Sequence, residues 1–219
     1  MVLKRVLDEA RHASRLRETS PEADTRERIL EAGSDLFQRR GFNGFSYKHI
    51  AVLLGLRHAA IHYHFRNKSD LGLALLQRYR RIFLEWAEEL ESRVDDEWDR
   101  LQAYFGLYVD YQRSGSLICP SGVVSNDFDS LPEAMQEEAR QLLRDRWNWL
   151  TRTLDNGRSA GKLNFPGRAA ERALVIGAAM QGALQIDRVT SNNRMEQIIA
   201  QLELEMRRDV SDIDNGRSS

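Results

Sequence analysis

Apolar residues recur along this chain at intervals of three and four, the spacing that lines one face of an α-helix. Ile29, Gly33, Leu36 and Phe37 give the first such face, in a helix starting near Asp24. Asp24, with Glu27 three positions on, is a capping-box variant. Arg39 and Arg40 put cations in the last turn, and Gly41 follows where helices end. Ser46 caps a second helix through Ile50, Ala51 and Leu54. Gly55 supplies a turn that calls for positive φ. A third helix runs from about Arg57 to Phe65, with Leu56, Ile61 and Phe65 facing inward. Asn67 or Ser69 then starts a long helix striped by Leu71, Leu75, Tyr79, Ile82, Phe83, Trp86 and Leu90.

Four or five more helices are expected behind it. One carries Trp98, Leu101, Tyr104, Phe105, Tyr108 and Gln112. A break at RSGSLICPSG separates it from a short segment at about 121–128. Ser130 to Glu133 forms another capping box, with Pro132 in the first turn, and that helix runs past Trp147 and Leu150 to Asn156 and Gly157. Pro166 is expected to open a helix holding Leu174, Gly177, Met180, Gln181 and Leu184. Met195, Ile198, Ile199, Leu202 and Met206 mark the last one. No strand-like alternation persists, so the fold class expected is all-α. Residues 1–20 read as an N-terminal extension and 211–219 as a disordered tail.

The second and third of these helices hold the distinctive chemistry. A helix, a glycine turn and a short helix bearing Arg57, His58, His62, Tyr63 and His64 suit the major groove of DNA. Charge placement agrees with this. Residues 1–70 hold 13 Lys and Arg against 9 Asp and Glu, and all five histidines; the remainder is acidic. A basic front and an acidic rear suggest a nucleic-acid end with a different task behind it. Arg15 and Arg17 offer a basic arm for an adjacent groove.

Phosphate contacts position such a domain, and base contacts specify its site. Thr25 or Arg26, Ser46, Tyr47, Lys48, Tyr63 and Lys68 are the candidates for the phosphate backbone. Arg57, His58 and His62 are the candidates for base edges. Ala59 and Ala60 are small enough for close approach, onto a thymine methyl for example. His58 and His62 stand four apart on one helix, a spacing that also suits a metal. No Glu follows His58 and no third ligand is near, so no metal and no cofactor are expected. The single cysteine, Cys119, rules out an intramolecular disulfide. No apolar run reaches the roughly 18–20 residues that cross a bilayer. A soluble, cytoplasmic protein with no membrane partner is expected.

The order of residues over 25–71 resembles the TetR family of transcriptional regulators. Arg28-Ile29-Leu30, Leu36-Phe37, Gly41-Phe42, Ser46, Ile50-Ala51, Gly55-Leu56, Ile61 to Phe65, Lys68 and Leu71 carry that resemblance. Two positions depart from it. His62 stands where the family usually has Tyr, and Arg57 replaces a small residue. The resemblance implies an N-terminal three-helix helix-turn-helix domain at 21–70 and a larger ligand-binding and dimerisation domain at 71–210. It further implies a homodimer, paired through its last two long helices, on a palindromic operator in double-stranded DNA. A small-molecule effector would control it, most simply by releasing a repressor.

Cys119-Pro120-Ser121-Gly122 followed by Leu131-Pro132-Glu133 resembles a subgroup responsive to electrophiles or small unsaturated acids. Tyr104, Tyr108, Phe128, Trp147, Met180 and Gln181, with Phe105 beside them, are expected to line a cavity with a few polar handles, and with Cys119 they are the candidate ligand-binding residues. Ala173, Gly177 and Gly182 are expected to thin the helix that meets a second copy. Cys119 near a helix start is a candidate sensor, since the helix dipole raises thiol reactivity. An activator or a regulator without an inducer is the alternative. A Cys-dependent enzyme would need a base near Cys119, yet every histidine lies in the front part.

Overall fold

The computed structural model describes residues 21–115, 117–190 and 194–207. The expected extension 1–20, with Arg15 and Arg17, and the tail 211–219 lie outside them. The described elements are α1 (Pro21–Arg40), α2 (Tyr47–Leu54), α3 (His58–His64), α4 (Lys68–Arg93), α5 (Glu97–Arg113), α6 (Pro120–Asp127), a 3-10 turn (Phe128–Ser130), α7 (Glu133–Ser159), α8 (Ala169–Thr190) and α9 (Arg194–Arg207). No strand occurs among the described residues. The fold is all-α, with a front helix-turn-helix.

The described chain divides into two compact units, one of 21–84 with 117–143 and one of 85–115 with 144–190 and 194–207. The front unit is thus larger than the expected 21–70. Its core joins Ile29, Phe37, Ile50, Ile61, Leu71 and Leu75 to Val123, Val124, Leu131, Met135 and Ala139. The added segment enters because small residues let it approach. A Cβ on Gly72 would stand 2.6 Å from the Met135 thioether and 2.7 Å from the Phe42 ring.

The rear unit is built from α5, α8 and α9 with the ends of α4 and α7. Trp86, Leu101, Tyr104, Tyr108, Trp149, Leu154, Ile176, Met180 and Met206 are buried. Asp96 caps α5, accepting from the Trp98 and Asp99 amides at 2.9 and 3.2 Å. Buried Asp187 near the end of α8 accepts from the Arg194 and Met195 amides at 2.5 and 3.1 Å, and from Gln112 Nε2 at 2.5 Å. One carboxylate therefore satisfies the start of α9 and ties it to α5 and α8.

Three expectations change here. The helix expected to start near Asp24 already runs from Pro21, so Asp24 and Glu27 lie inside it and do not cap its start. The helix expected to open at Pro166 opens at Ala169, because Gly167 takes φ +80° just before it. Ala173 and Gly177 do not thin an outer face, because both are buried within their own chain. A Cβ on Gly177 would stand 3.5 Å from Trp147 Nε1, ordinary van der Waals contact, so Gly177 packs against the indole inside its own chain. A Cβ on Gly182, by contrast, would meet nothing within 4 Å.

Candidate nucleic-acid interface

The helix-turn-helix is set by local backbone chemistry. Ser46 is extended, at φ −143°, and precedes α2 as its N-cap. Its amide donates to His49 Nδ1 at 2.9 Å, so a histidine fills the place that Glu or Gln takes in a capping box. An acceptor Nδ1 puts the hydrogen of the neutral His49 ring on Nε2, a donor suited to phosphate. Gly55 closes α2 at φ +65°, and the Leu56 amide returns to the Ala51 carbonyl at 3.0 Å. Arg57 is extended, so α3 begins at His58.

Ile61 and Phe65 turn into the core, which leaves the other face of α3 outward. Arg57, His58, Ala59 and His62 are exposed, and Tyr63 is 71% exposed. His58 and His62 lie edge to face, 5.2 Å between ring centroids, and His62 meets the Tyr47 ring at 4.9 Å. His62 Nδ1 is 2.9 Å from the Arg66 carbonyl. Ser46 and Lys48 are exposed at the start of α2. On α1, Thr25 is half-buried, and the exposed Arg26 guanidinium lies 5.1 Å over the Phe65 ring.

Tyr47 does not belong with the phosphate contacts. Its ring is buried, and its hydroxyl donates to the Phe65 and Asn67 carbonyls at 2.9 and 2.5 Å. Burial, reinforced by the charge of Asp70, holds this phenol well above its usual range. Tyr47 is thus a strut that joins α2 to the end of α3. Lys68 is half-buried, its ammonium 4.5 Å over Phe42 and 4.8 Å over Phe45. Burial lowers its pKa, and the Asp127 carboxylate opposes that shift.

The segment after α5 holds the turn between α1 and α2. Asp127 accepts from the Phe42 amide at 2.7 Å. Gly41 sits at φ +75°, and a Cβ there would come 2.8 Å from Asp127 Oδ2. Asn43 donates to Ser130 Oγ at 2.8 Å. At the far end of α6, the Ile118 amide reaches the Gln38 carbonyl at 3.3 Å, and Gln38 Nε2 returns to the Ile118 carbonyl at 3.2 Å. Cys119, fully buried at the N-cap of α6, has Sγ 3.1 Å from Ser121 Oγ.

The candidate ligand-binding residues therefore fall into two groups. Cys119 and Phe128 belong to the front unit, where the Arg140 guanidinium lies 5.0 Å over Phe128. Tyr104, Tyr108, Trp147, Met180 and Gln181 belong to the rear unit. Within it, the Tyr104 and Tyr108 hydroxyls are 3.1 Å apart, and Met180 is buried. Gln181 is half-buried, and Trp147 stands 39% exposed at the surface.

Arg146 was not foreseen. It is buried, donates to Tyr108 Oη at 3.1 Å and lies over both tyrosine rings at 5.8 and 5.5 Å. Its helix is rich in charges that face solvent, and its i, i+3 and i, i+4 steps to the buried Trp149 and Leu150 set it apart in sequence. Asp127 and His49 were also missed. The Ser46-to-His49 spacing could have revealed the second.

Comparison with known proteins bears on both units. The family model described as "Bacterial regulatory proteins, tetR family" matches residues 29–75. The HTH-type transcriptional repressor NemR of Escherichia coli K12 is 29% identical over 171 residues, 74% of this chain and 83% of that protein. A TetR-family transcriptional regulator from Agrobacterium tumefaciens superposes with a TM-score of 0.80 at 29% identity, over 84% of this chain and 99% of the other. The reduced form of E. coli NemR superposes at 0.74 and 25% identity, over 85% and 99%. The similarity thus extends well past the helix-turn-helix.

Proposed function

From the premise that the chain belongs to the TetR family of transcriptional regulators, we propose that it is a repressor, binding a palindromic operator as a homodimer and released by a small effector. The observation that carries this reading is the outward face of α3. Arg57, His58, Ala59 and His62 are exposed together on a short helix whose other face is locked by Ile61 and Phe65. Arg57 pairs with guanine, and Ser46, Lys48, Tyr63 and Arg26 hold phosphates on either side.

Pairing of two chains is supported by α8. Val175, Ala178, Gly182, Ile186 and Val189 follow one another at steps of three and four, and Val175, Ile186 and Val189 are 52%, 45% and 84% exposed. Leu174 and Leu204 add to the exposed apolar surface. A two-fold pair buries that stripe and sets two recognition helices about 34 Å apart, one turn of DNA. No described helix is long and apolar enough to cross a membrane.

The effector is read by the rear unit through Tyr104, Tyr108, Met180 and Gln181, with Arg146 among them. A second effector chemistry, an electrophile at Cys119, requires that this fully buried thiol become accessible. Cys119 caps one end of α6 while Asp127 at the other end holds the Phe42 amide. Alkylation at Cys119 adds volume to a fully buried site and displaces that helix. An effector shifts the protein only by its differential affinity for the bound and released states.

The test is selection of duplexes from a random library by the purified protein, followed by a reporter carrying the selected site. An inverted repeat that silences the reporter is expected, with derepression on adding effector. A site that raises transcription would replace the repressor by an activator. Retained electrophile response in Cys119→Ser would remove Cys119 as a sensor.

A further inference from the structure

The two ring nitrogens of His62 are not equivalent. Nδ1 lies 2.9 Å from the Arg66 carbonyl oxygen. A carbonyl only accepts, so Nδ1 carries a hydrogen. A neutral imidazole has one N–H, so Nε2 is an acceptor. The backbone at the end of α3 therefore chooses the tautomer. His49 has the opposite arrangement, because its Nδ1 accepts from the Ser46 amide.

The ring is held in place as well as in tautomer. It packs edge to face against Tyr47 at 4.9 Å and His58 at 5.2 Å. Tyr47 is itself fixed by the carbonyls of Phe65 and Asn67. His62 is nonetheless exposed. With Nδ1 turned back onto the chain, the opposite edge of the ring, which carries Nε2, is the edge available to a ligand.

We propose that His62 reads an amino base through Nε2, so that one operator position per half-site is restricted to adenine or cytosine. This rests on the reading of α3 as the groove-facing helix. In the major groove adenine offers its N6 amino group and cytosine its N4 amino group, whereas guanine O6 and thymine O4 are acceptors. A fixed acceptor at that height gains a hydrogen bond from the first pair of bases. Against the second pair it sets lone pair against lone pair. The structure thus assigns opposite preferences to neighbouring side chains: Arg57, a donor only, seeks guanine, and His62 seeks an amino base.

The experiment is duplex selection from a random library at pH 8 with the full-length protein and its His62→Leu and His62→Lys variants. Wild type is expected to yield a column of mixed adenine and cytosine on one strand, favoured about three- to tenfold over guanine and thymine, as one hydrogen bond allows. His62→Leu is expected to make that column indifferent and leave the other columns in place. His62→Lys, which can only donate, is expected to turn it to guanine or thymine. A column unchanged in both variants, or one that holds guanine or thymine in wild type, overturns the inference while leaving sequence-specific binding intact. Failure of every protein, wild type included, to enrich any motif overturns the DNA-binding reading itself. Because His62 is exposed, both variants are expected to melt like wild type, and His62→Lys alone decides the outcome if His62→Leu does not fold.

Discussion

The two compact units differ in which charged groups they bury and which surfaces they expose. The front unit buries an apolar core and turns lysine, histidine and tyrosine outward from α2 and α3, with Arg57 at the N-cap of α3 and Val52 and Leu53 exposed beside them. The rear unit buries Arg146 and Asp187, and exposes Leu174, Val175, Ile186, Val189 and Leu204. Burying a charge is costly unless it is hydrogen-bonded, and an exposed apolar stripe is unfavourable unless it is covered. The front thus has the surface of a module that meets a polyanion. The rear has an exposed apolar stripe, the surface that the proposed pairing would cover, around an interior that holds Arg146 and Asp187.

The largest effect expected from this contrast lies on α8. Val175→Glu with Ile186→Glu should leave each chain folded, since both positions are exposed, and should yield monomers by light scattering. Loss of the second recognition helix should weaken operator binding about 10²- to 10⁴-fold, the gain that bivalency supplies. A double variant that stays dimeric would break the assignment of the stripe.

Next in size is Asp127→Ala. It leaves the Phe42 amide without its acceptor, at a cost of about 1–3 kcal/mol in urea unfolding. Operator affinity should fall with it, because the turn leading into α2 loosens. Unchanged stability and affinity would mean that the 117–143 segment does not support the front unit functionally.

Tyr47→Phe sharpens the distinction between strut and contact. Removing the hydroxyl leaves two carbonyls short of a donor, which should lower stability by about 1–2 kcal/mol. The salt dependence of DNA binding, which counts phosphate contacts, should stay as in wild type. A salt slope reduced by about one would return Tyr47 to the phosphate-contacting set. The smallest effect is that of Gly55→Ala. Space is open around it, so only the positive φ resists a side chain, and about 1 kcal/mol is expected.

Much of the front unit was legible because its signals are local. The Ser46 cap, the Gly55 turn and the inward spacing of Ile61 and Phe65 each act within a few residues, and together they force Arg57, His58 and His62 outward. Tyr47 was misread for the same reason. Its neighbours in sequence, Ser46 and Lys48, are exposed, and nothing nearby announces that its hydroxyl reaches carbonyls 18 and 20 residues away.

The rear unit was less legible because its chemistry depends on contacts between distant helices. Arg146 meets Tyr108 across 38 positions, and Gln112 meets Asp187 across 75. Gly177, expected on an outer face, packs against the Trp147 indole of its own chain.

The sequence by itself determined most of the helices, the helix-turn-helix and the outward placement of Arg57, His58 and His62, since periodicity, caps and glycines act over one or two turns. Tertiary structure alone decided that 117–143 packs with the front unit. Asp127 reaches the Phe42 amide across 85 positions, a pairing that no local pattern encodes. The tautomer of His62 is set nearer by, at the end of α3, by a carbonyl only four residues on. Imidazole chemistry permits either one, and only the position of the Arg66 carbonyl selects between them.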